Sequence, residues 1–437
     1  MILLAGQSGG VFKDRPWTLF LCMVIGLSPP FSCLALTDTT APTTNAHSVQ
    51  HLDPIVVDQQ LSLAQLVDQT LEKYPDVAWL DALEQEAGAI QQRSESWLAG
   101  APQAGLRFQE ATSGTLHYVD ATVQMPLWNL GQRDAERKTG EQAGISAEQQ
   151  TAAVKLRVAG LVRAALWDIA LQTIRFDQAQ AEVDISQQLA DKVKRRVELG
   201  DLPHSDELLA YSELLQKRSV LTLAEAELMH ARKRYTSITQ TTKFPALYQE
   251  QLSVIKEIQQ NHPALLAVNS QIDRKQAELD ALKLTGSGQT NLTVGVNSDR
   301  GNNDPRSNST ESFNIGVNVP FGGSAHLQPQ IAAVNVELNR LKAAREQLFR
   351  DLEQAHHEAE HNLEVNRVEL GIANELKQVA ERHLTMAQSA FSAGEIDLMD
   401  LLKIQSRTQQ AILNAKERAV LLQRDQALYN QAVGVAP

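Results

Sequence analysis

The chain has 437 residues, 43% of them hydrophobic but only 5% aromatic, and its formal net charge is −12. That length could hold two or three ordinary domains, and long stretches dominated by Ala, Leu, Gln and Glu carry the bias of extended helices and coiled coils. No window joins Lys and Arg to interleaved aromatics as a phosphate-tracking groove requires, so no nucleic acid is expected as a partner.

Lys13 and Arg15 precede an apolar run over residues 17–27, and small residues follow at Cys33 and Ala35. This predicts a signal peptide over residues 1–35, with the mature chain opening at Leu36 and an N-terminal extension over 36–60. The run is short of the roughly 20 residues a spanning helix needs, and no later stretch qualifies. Both cysteines, Cys22 and Cys33, fall inside the leader. Its removal leaves no thiol for disulfides, metal binding or nucleophilic catalysis. Lipidation of Cys33 is the rival reading, against which stands the poor cleavage box Pro30-Phe31-Ser32.

The remainder is written twice. EKYPDVAWLDALEQE around Pro75 is echoed by QQNHPALLAVNSQID around Pro263. VQMPLWNLG at Pro126 is echoed by VNVPFGGS at Pro320, a separation of 320 − 126 = 194, and VELGDLPHSDELL at Gly200 by FSAGEIDLMDLL at Gly394, again 394 − 200 = 194. Two structural repeats follow, residues 61–249 and 250–437.

Each repeat predicts two strands, about residues 104–125 in the first and 290–320 in the second. Leu106 and Phe108, then Val119, Ala121, Val123 and Met125, alternate with polar neighbours. Leu292, Val294 and Val296, then Phe313, Ile315, Val317 and Val319, do the same, around polar loops at 112–114 and 298–311. Helical hairpins follow over about 129–236 and 328–432. Val162, Leu166, Ile169, Phe176 and Val183 keep coiled-coil spacing, as do Ile331, Val334, Leu338, Leu341, Leu348 and Leu352, interrupted at Arg345. A helix of about 65 residues reaches roughly 100 Å, several times the diameter of a compact domain. Each rod ends at a glycine, Gly200 or Gly394, and Asp397 is placed to cap the second returning helix. Shorter helices are expected over 61–73 and 248–261.

The fold class is therefore mainly α with a small β part: a duplicated unit of long coiled-coil helical hairpins plus four membrane β-strands per chain. Four strands cannot close a barrel, and an unpaired strand edge is prohibitive in lipid. Three copies supply twelve strands. Neither nucleotide cradle nor Ser/His/Asp set is present, so such a duct would only equilibrate its cargo.

Duplicated units with a Pro ahead of a helix, strands ending in Pro126-Leu127-Trp128 and Pro320-Phe321-Gly322, and tips in which an apolar residue precedes Gly and an acidic, apolar helix start together resemble the TolC family of outer-membrane efflux proteins, over about residues 61–433. The resemblance implies a homotrimer in the cell outer membrane: a 12-strand β-barrel in outer-membrane lipid on a periplasmic α-barrel. It implies a passive export channel without cofactor, working with a periplasmic adaptor and an inner-membrane transporter. His262-Pro263 and the RVELGDLP tip look most like the branch paired with proton-driven, RND-type metal and drug pumps; type I protein secretion is the alternative. By the same resemblance the adaptor docks at Leu199, Gly200, Asp201 and Leu202 and at Ala393, Gly394, Glu395 and Ile396. Asp206 and Asp400 are candidate aperture acids, and Pro126 and Pro320 mark the strand-to-helix turns. Pro203 has the non-proline Asp397 as its counterpart, so the two tips need not bind alike.

One motif stands outside this reading. His357-Glu358-Ala359-Glu360-His361 is a literal H-E-x-x-H on a predicted helix, the spacing that gives zinc peptidases two imidazoles one turn apart with Glu as base. The local apolar seam, Leu348, Leu352, Ala355 and Ala359, leaves both histidines on roughly the opposite face, with no third ligand signposted. No catalytic metal is expected; weak metal contact with His356, His357 and His361 is the residual expectation. A soluble coiled-coil scaffold and a metallopeptidase are the remaining alternatives to the duct.

Overall fold

The computed structural model describes residues 54–112, 116–301 and 309–437. The expected leader with Cys22 and Cys33, most of the 36–60 extension and the ends of both strand loops lie outside the described residues. In chain order the elements are β1 (Val56–Asp58), α1 (Leu63–Glu72), α2 (Val77–Glu95), β2 (Gln103–Glu110), β3 (Leu116–Leu127), α3 (Gln132–Glu198), α4 (His204–Thr239), β4 (Lys243–Pro245), α5 (Pro263–Leu284), β5 (Thr290–Gly301), β6 (Ser309–Asn318), a 3-10 turn (Ser324–Leu327), α6 (Gln328–Ala393) and α7 (Leu398–Ala432).

The rods form because nothing in their sequence stops them. α3 runs 67 residues and α6 runs 66, about 100 Å each at 1.5 Å per residue. Pro329 falls in the first turn of α6, where its missing N–H would have had no intrahelical partner. α4 returns along α3 and α7 along α6, and α3 also packs on α2, α5 and α7. Burial repeats at the sequence spacing: Ile169, Gln172, Ala179, Val193 and Val197 are buried in α3, as are Leu363, Asn366, Ala373, Ala387 and Phe391 in α6, each 194 positions on.

A belt surrounds the middle of α3. Leu66 and Val67 of α1, Val158, Val162, Leu166 and Ile169 of α3, Tyr235 of α4 and Phe244 of β4 form the largest apolar core. Ser62 and Gln65 cap α1 reciprocally, each side chain bonding the other's backbone N–H. β1 pairs in parallel with β4, a contact the sequence pattern did not announce.

Residues 248–261, expected as a helix, are irregular instead. Their backbone is held from outside: Asn430 accepts from the Ser253 N–H at 2.8 Å and donates to the Gln251 carbonyl at 2.8 Å, and the Tyr429 hydroxyl donates to the Ile255 carbonyl at 2.8 Å. Arg163 fixes the same segment. It is 1% exposed and forks onto both oxygens of Glu250 at 2.7 and 2.5 Å, while also reaching Gln431 at 2.6 Å and the Val435 carbonyl at 3.0 Å. These contacts replace the i to i−4 ladder a helix would have supplied.

His262 caps α5 by accepting the Ala264 N–H on Nδ1 at 3.2 Å, and its buried Nε2 has no hydrogen-bond partner. Burial lowers its pKa below the ordinary 6.5, opposed but not reversed by the Ala432 backbone. The folded chain therefore holds the neutral ring, and the unfolded chain binds the proton more readily. The stability this cap contributes is full above the unfolded value and is lost as the pH falls below about 6.5 toward the folded value. Melting at pH 7 and pH 5 is expected to show lower stability at pH 5 from this site, and His262→Asn, which keeps a capping side chain but does not titrate, should remove that pH-dependent component. An unchanged pH slope in the variant would contradict the assignment.

Candidate functional site

The four longer strands form one antiparallel sheet in the order β2-β3-β5-β6. Its register sorts side chains by polarity, because cross-strand partners share a face. Leu106 pairs with Ala121, Ala121 with Val296, and Val296 with Phe313; Ala104, Val123, Val294 and Ile315 form the next such row. This face is continuous, apolar and open, with Leu106 at 79% and Phe313 and Ile315 at 64% exposure. The opposite face carries Gly105, Thr122, Gly295 and Asn314 in one row and Arg107, Asp120, Asn297 and Ser312 in another. Gly295 has no room for a side chain: a Cβ there would lie 2.7 Å from Thr122 Cγ2 and 2.8 Å from Asn314 Oδ1. The polar side is the crowded side. β3 and β5 have 12 residues each and β6 has 10, the length of membrane-crossing strands. Among the described residues the outer edges of β2 and β6 have no strand beside them.

Pro126, expected at a strand-to-helix turn, is instead the penultimate residue of β3 and pairs with Asn291, whereas Pro320 follows the end of β6. Pro126 packs against Gly100 and Pro320 against Gly288, each proline Cγ 3.3 Å from where a glycine Cβ would stand. Asn129 joins the halves: its amide donates to the Thr285 and Gly288 carbonyls at 3.0 Å each, and its oxygen accepts from the Thr290 hydroxyl at 2.9 Å. Gly131, at φ +76°, then turns the chain into α3.

The two hairpin tips meet at one end of the rods. Gly200 and Gly394 adopt φ +81° and +78°, and both close the same motif: Asp201 N–H bonds Arg196 O at 2.8 Å, and Glu395 N–H bonds Ala390 O at 2.9 Å. Val193, Val197, Phe391, Leu398 and Leu401 form a shared cluster beneath, with Leu202 and Ile396 half-buried against it. Arg196 stacks over Phe391 at 5.1 Å. Leu199, Gly200, Asp201, Ala393, Gly394 and Glu395 face outward. Of the candidate aperture acids, Asp206 is half-buried in the first turn of α4, and Asp400 pairs with Lys403 at 3.3 Å. Asp397 caps α7 through the Asp400 N–H at 2.7 Å, whereas Pro203 opens α4 without a side-chain cap.

The duplication exposes a difference between the rods. Arg163, Trp167 and Gln178 of α3 are buried against the belt and α7. The residues 194 positions on, His357, His361 and Ile372, are exposed. Val368, Ile372, Val379 and Met386 line this open face of α6, all more than half exposed, and Leu208, Tyr211 and Leu223 project from α4.

His357 and His361 stack with ring centroids 6.4 Å apart. His356 turns the other way, half-buried with Nε2 3.3 Å from the Tyr429 hydroxyl. The buried line of the helix passes through Leu352, His356, Ala359 and Leu363, while Ala355, expected in the seam, is exposed. Among the described residues no group of three or more His, Cys, Asp or Glu could hold a metal. The sequence did not mark Arg163, Asn129 or Gly295 as functional. A lone Arg in an apolar seam was the available signal for the first.

No family model and no curated protein sequence matches the chain. Solved structures do match its fold. CusC, whose structures concern folding and transmembrane channel formation, is 13% identical with a TM-score of 0.68 over 90% of this chain and 96% of that one. The outer membrane protein VceC of Vibrio cholerae is 11% identical, TM-score 0.66, over 86% of this chain and 97% of that one. The open state of the MtrE outer membrane channel of Neisseria gonorrhoeae is 13% identical, TM-score 0.66, over 90% and 98%. The chain has the fold of these outer-membrane channels.

Proposed function

We propose that this chain is the outer-membrane channel of a tripartite efflux system, three copies closing a 12-strand barrel in the outer membrane above a helical tunnel through the periplasm. The observation that carries this is the open four-stranded sheet, with one continuous apolar face, one polar face and an unpaired edge on each side. Lipid satisfies the first, a water-filled lumen the second, and neighbouring copies the third. The matching channel fold, and the apolar face of α6 that its packing on α5 and α7 leaves open, support the same ring.

Such a duct is not an enzyme and needs no cofactor; direction and energy come from an inner-membrane transporter of the RND type, reached through a periplasmic adaptor. The outward residues of the paired tips, Leu199, Gly200, Asp201, Ala393, Gly394 and Glu395, are where that adaptor docks, with Leu202 and Ile396 anchoring the tips from beneath. The half-buried Asp206 and the Lys403-paired Asp400 stand one turn behind them as the acids of the aperture. The two repeats, 61–249 and 250–437, alternate around the ring. Fractionation followed by sizing in detergent tests the proposal: a trimer extracted from outer membranes is expected, and a water-soluble monomer would overturn it.

A further inference from the structure

The His357–His361 pair is left over when the duct is accounted for. Both rings are exposed on adjacent turns of α6, their planes 20° apart and their centroids 6.4 Å apart. With metal–nitrogen bonds of about 2.1 Å, two imidazoles sharing one ion through Nε2 have centroids within about 6.5 Å of each other. That bound is reached only with the two nitrogens on opposite sides of the ion; at neighbouring positions of a tetrahedral ion the centroids lie about 5 Å apart, a gap of about 1 Å that the exposed rings close by side-chain rotation. Neither ring has a hydrogen-bond partner among the described residues that metal binding would have to break. His356, by contrast, is engaged with Tyr429 and cannot join.

Position adds a second observation. His357 and His361 stand 194 residues beyond Arg163 and Trp167, in register with the buried residues shared by both rods. In the first repeat that spot holds the guanidinium that ties α3 to residue Glu250 and the C-terminal segment. The second repeat puts two free imidazoles at the same level.

We propose that His357 and His361 form a two-imidazole site for a borderline divalent cation, of the Cu2+, Ni2+ or Zn2+ class. Imidazole suits these metals, whereas Mg2+ and Ca2+ demand oxygen ligands. Two protein ligands leave positions open to water, so the site binds without a peptidase's enclosed geometry. That the site lies at the seam between copies rests on the ring proposed above; chelation itself does not.

The test is Cu2+ binding to the untagged full chain in detergent, read by titration and by the number of imidazole nitrogens in its electron paramagnetic resonance spectrum. One ion per chain with two coordinated nitrogens is expected. His357→Ala and His361→Ala should each lose one nitrogen and weaken binding by about tenfold or more, with the helical circular dichroism unchanged. Two-nitrogen binding that survives in either variant, or a titration that matches the double variant, would overturn the site. Sizing of the same samples reads the ring separately, so each proposal can fail alone.

Discussion

Arg163→Ala is expected to cost about 3–5 kcal/mol of stability, the scale for removing one partner of a buried ion pair. The guanidinium is 1% exposed and Glu250 is 12% exposed, so the truncation leaves a carboxylate largely out of water without its fork of donors. It also strands Gln431 and the Val435 carbonyl, both of which now accept from Arg163. Because residue Glu250 lies in a segment that has no helical ladder of its own, the damage should spread to residues 248–261 and the C-terminal end of α7. Arg163→Met combined with Glu250→Leu should recover part of the loss, since an apolar pair removes the desolvation of both charges but leaves Gln431 and the Val435 carbonyl without their donor. Denaturant melts followed by circular dichroism measure this; a cost under about 1 kcal/mol for Arg163→Ala would contradict the role given to the clamp.

Val294→Arg is the second large effect, and it reports on the membrane. Val294 lies mid-row on the apolar face, between Val123 and Ile315. A cation on the lipid face near the bilayer midplane costs about 2–4 kcal/mol per chain, and a ring of three copies bears it three times. Thr293→Arg, one residue away on the polar face, should be tolerated as a change in lumen charge. The yield of trimer in outer-membrane fractions should fall sharply for Val294→Arg and little for Thr293→Arg. Equal behaviour of the two would mean the faces do not meet lipid and water.

Much of the fold was legible because the rods and strands have strong, distinct periods. The separation of 194 read from Pro126 and Pro320 reappears in the burial of Val193 and Ala387, and the apolar alternation at Leu106, Val119, Val123, Val294 and Ile315 sets the face of each strand in the four-stranded sheet. What escaped the sequence depends on contacts between distant segments. β1 and β4 have three residues each, too few to carry a period, and pair only because the belt brings them together. Residues 248–261 have a helical composition that tertiary hydrogen bonds from Asn430 and Tyr429 override. At the tips the glycines were readable from composition and spacing, but the inward turn of Leu202 and Ile396 was not, since it arises from the cluster both hairpins build together. The clamp at Arg163 combines one residue from α3, one from the irregular segment and two from the C-terminal region, and no local pattern announces such a set.

The ring itself is tested most directly by a disulfide between copies. Within the chain Gln178 of α3 donates to Gln409 of α7 at 2.8 Å. Carried through the duplication, 178 + 194 = 372 and 409 − 194 = 215, which places Ile372 of one copy against Leu215 of the next; both are exposed in the single chain, at 57% and 46%. In a chain lacking Cys22 and Cys33, Leu215→Cys with Ile372→Cys should give covalent trimers from outer membranes under oxidising conditions, while each single variant stays monomeric on the same gel. A double variant that oxidises only within one chain, or not at all, would contradict a closed ring of three copies.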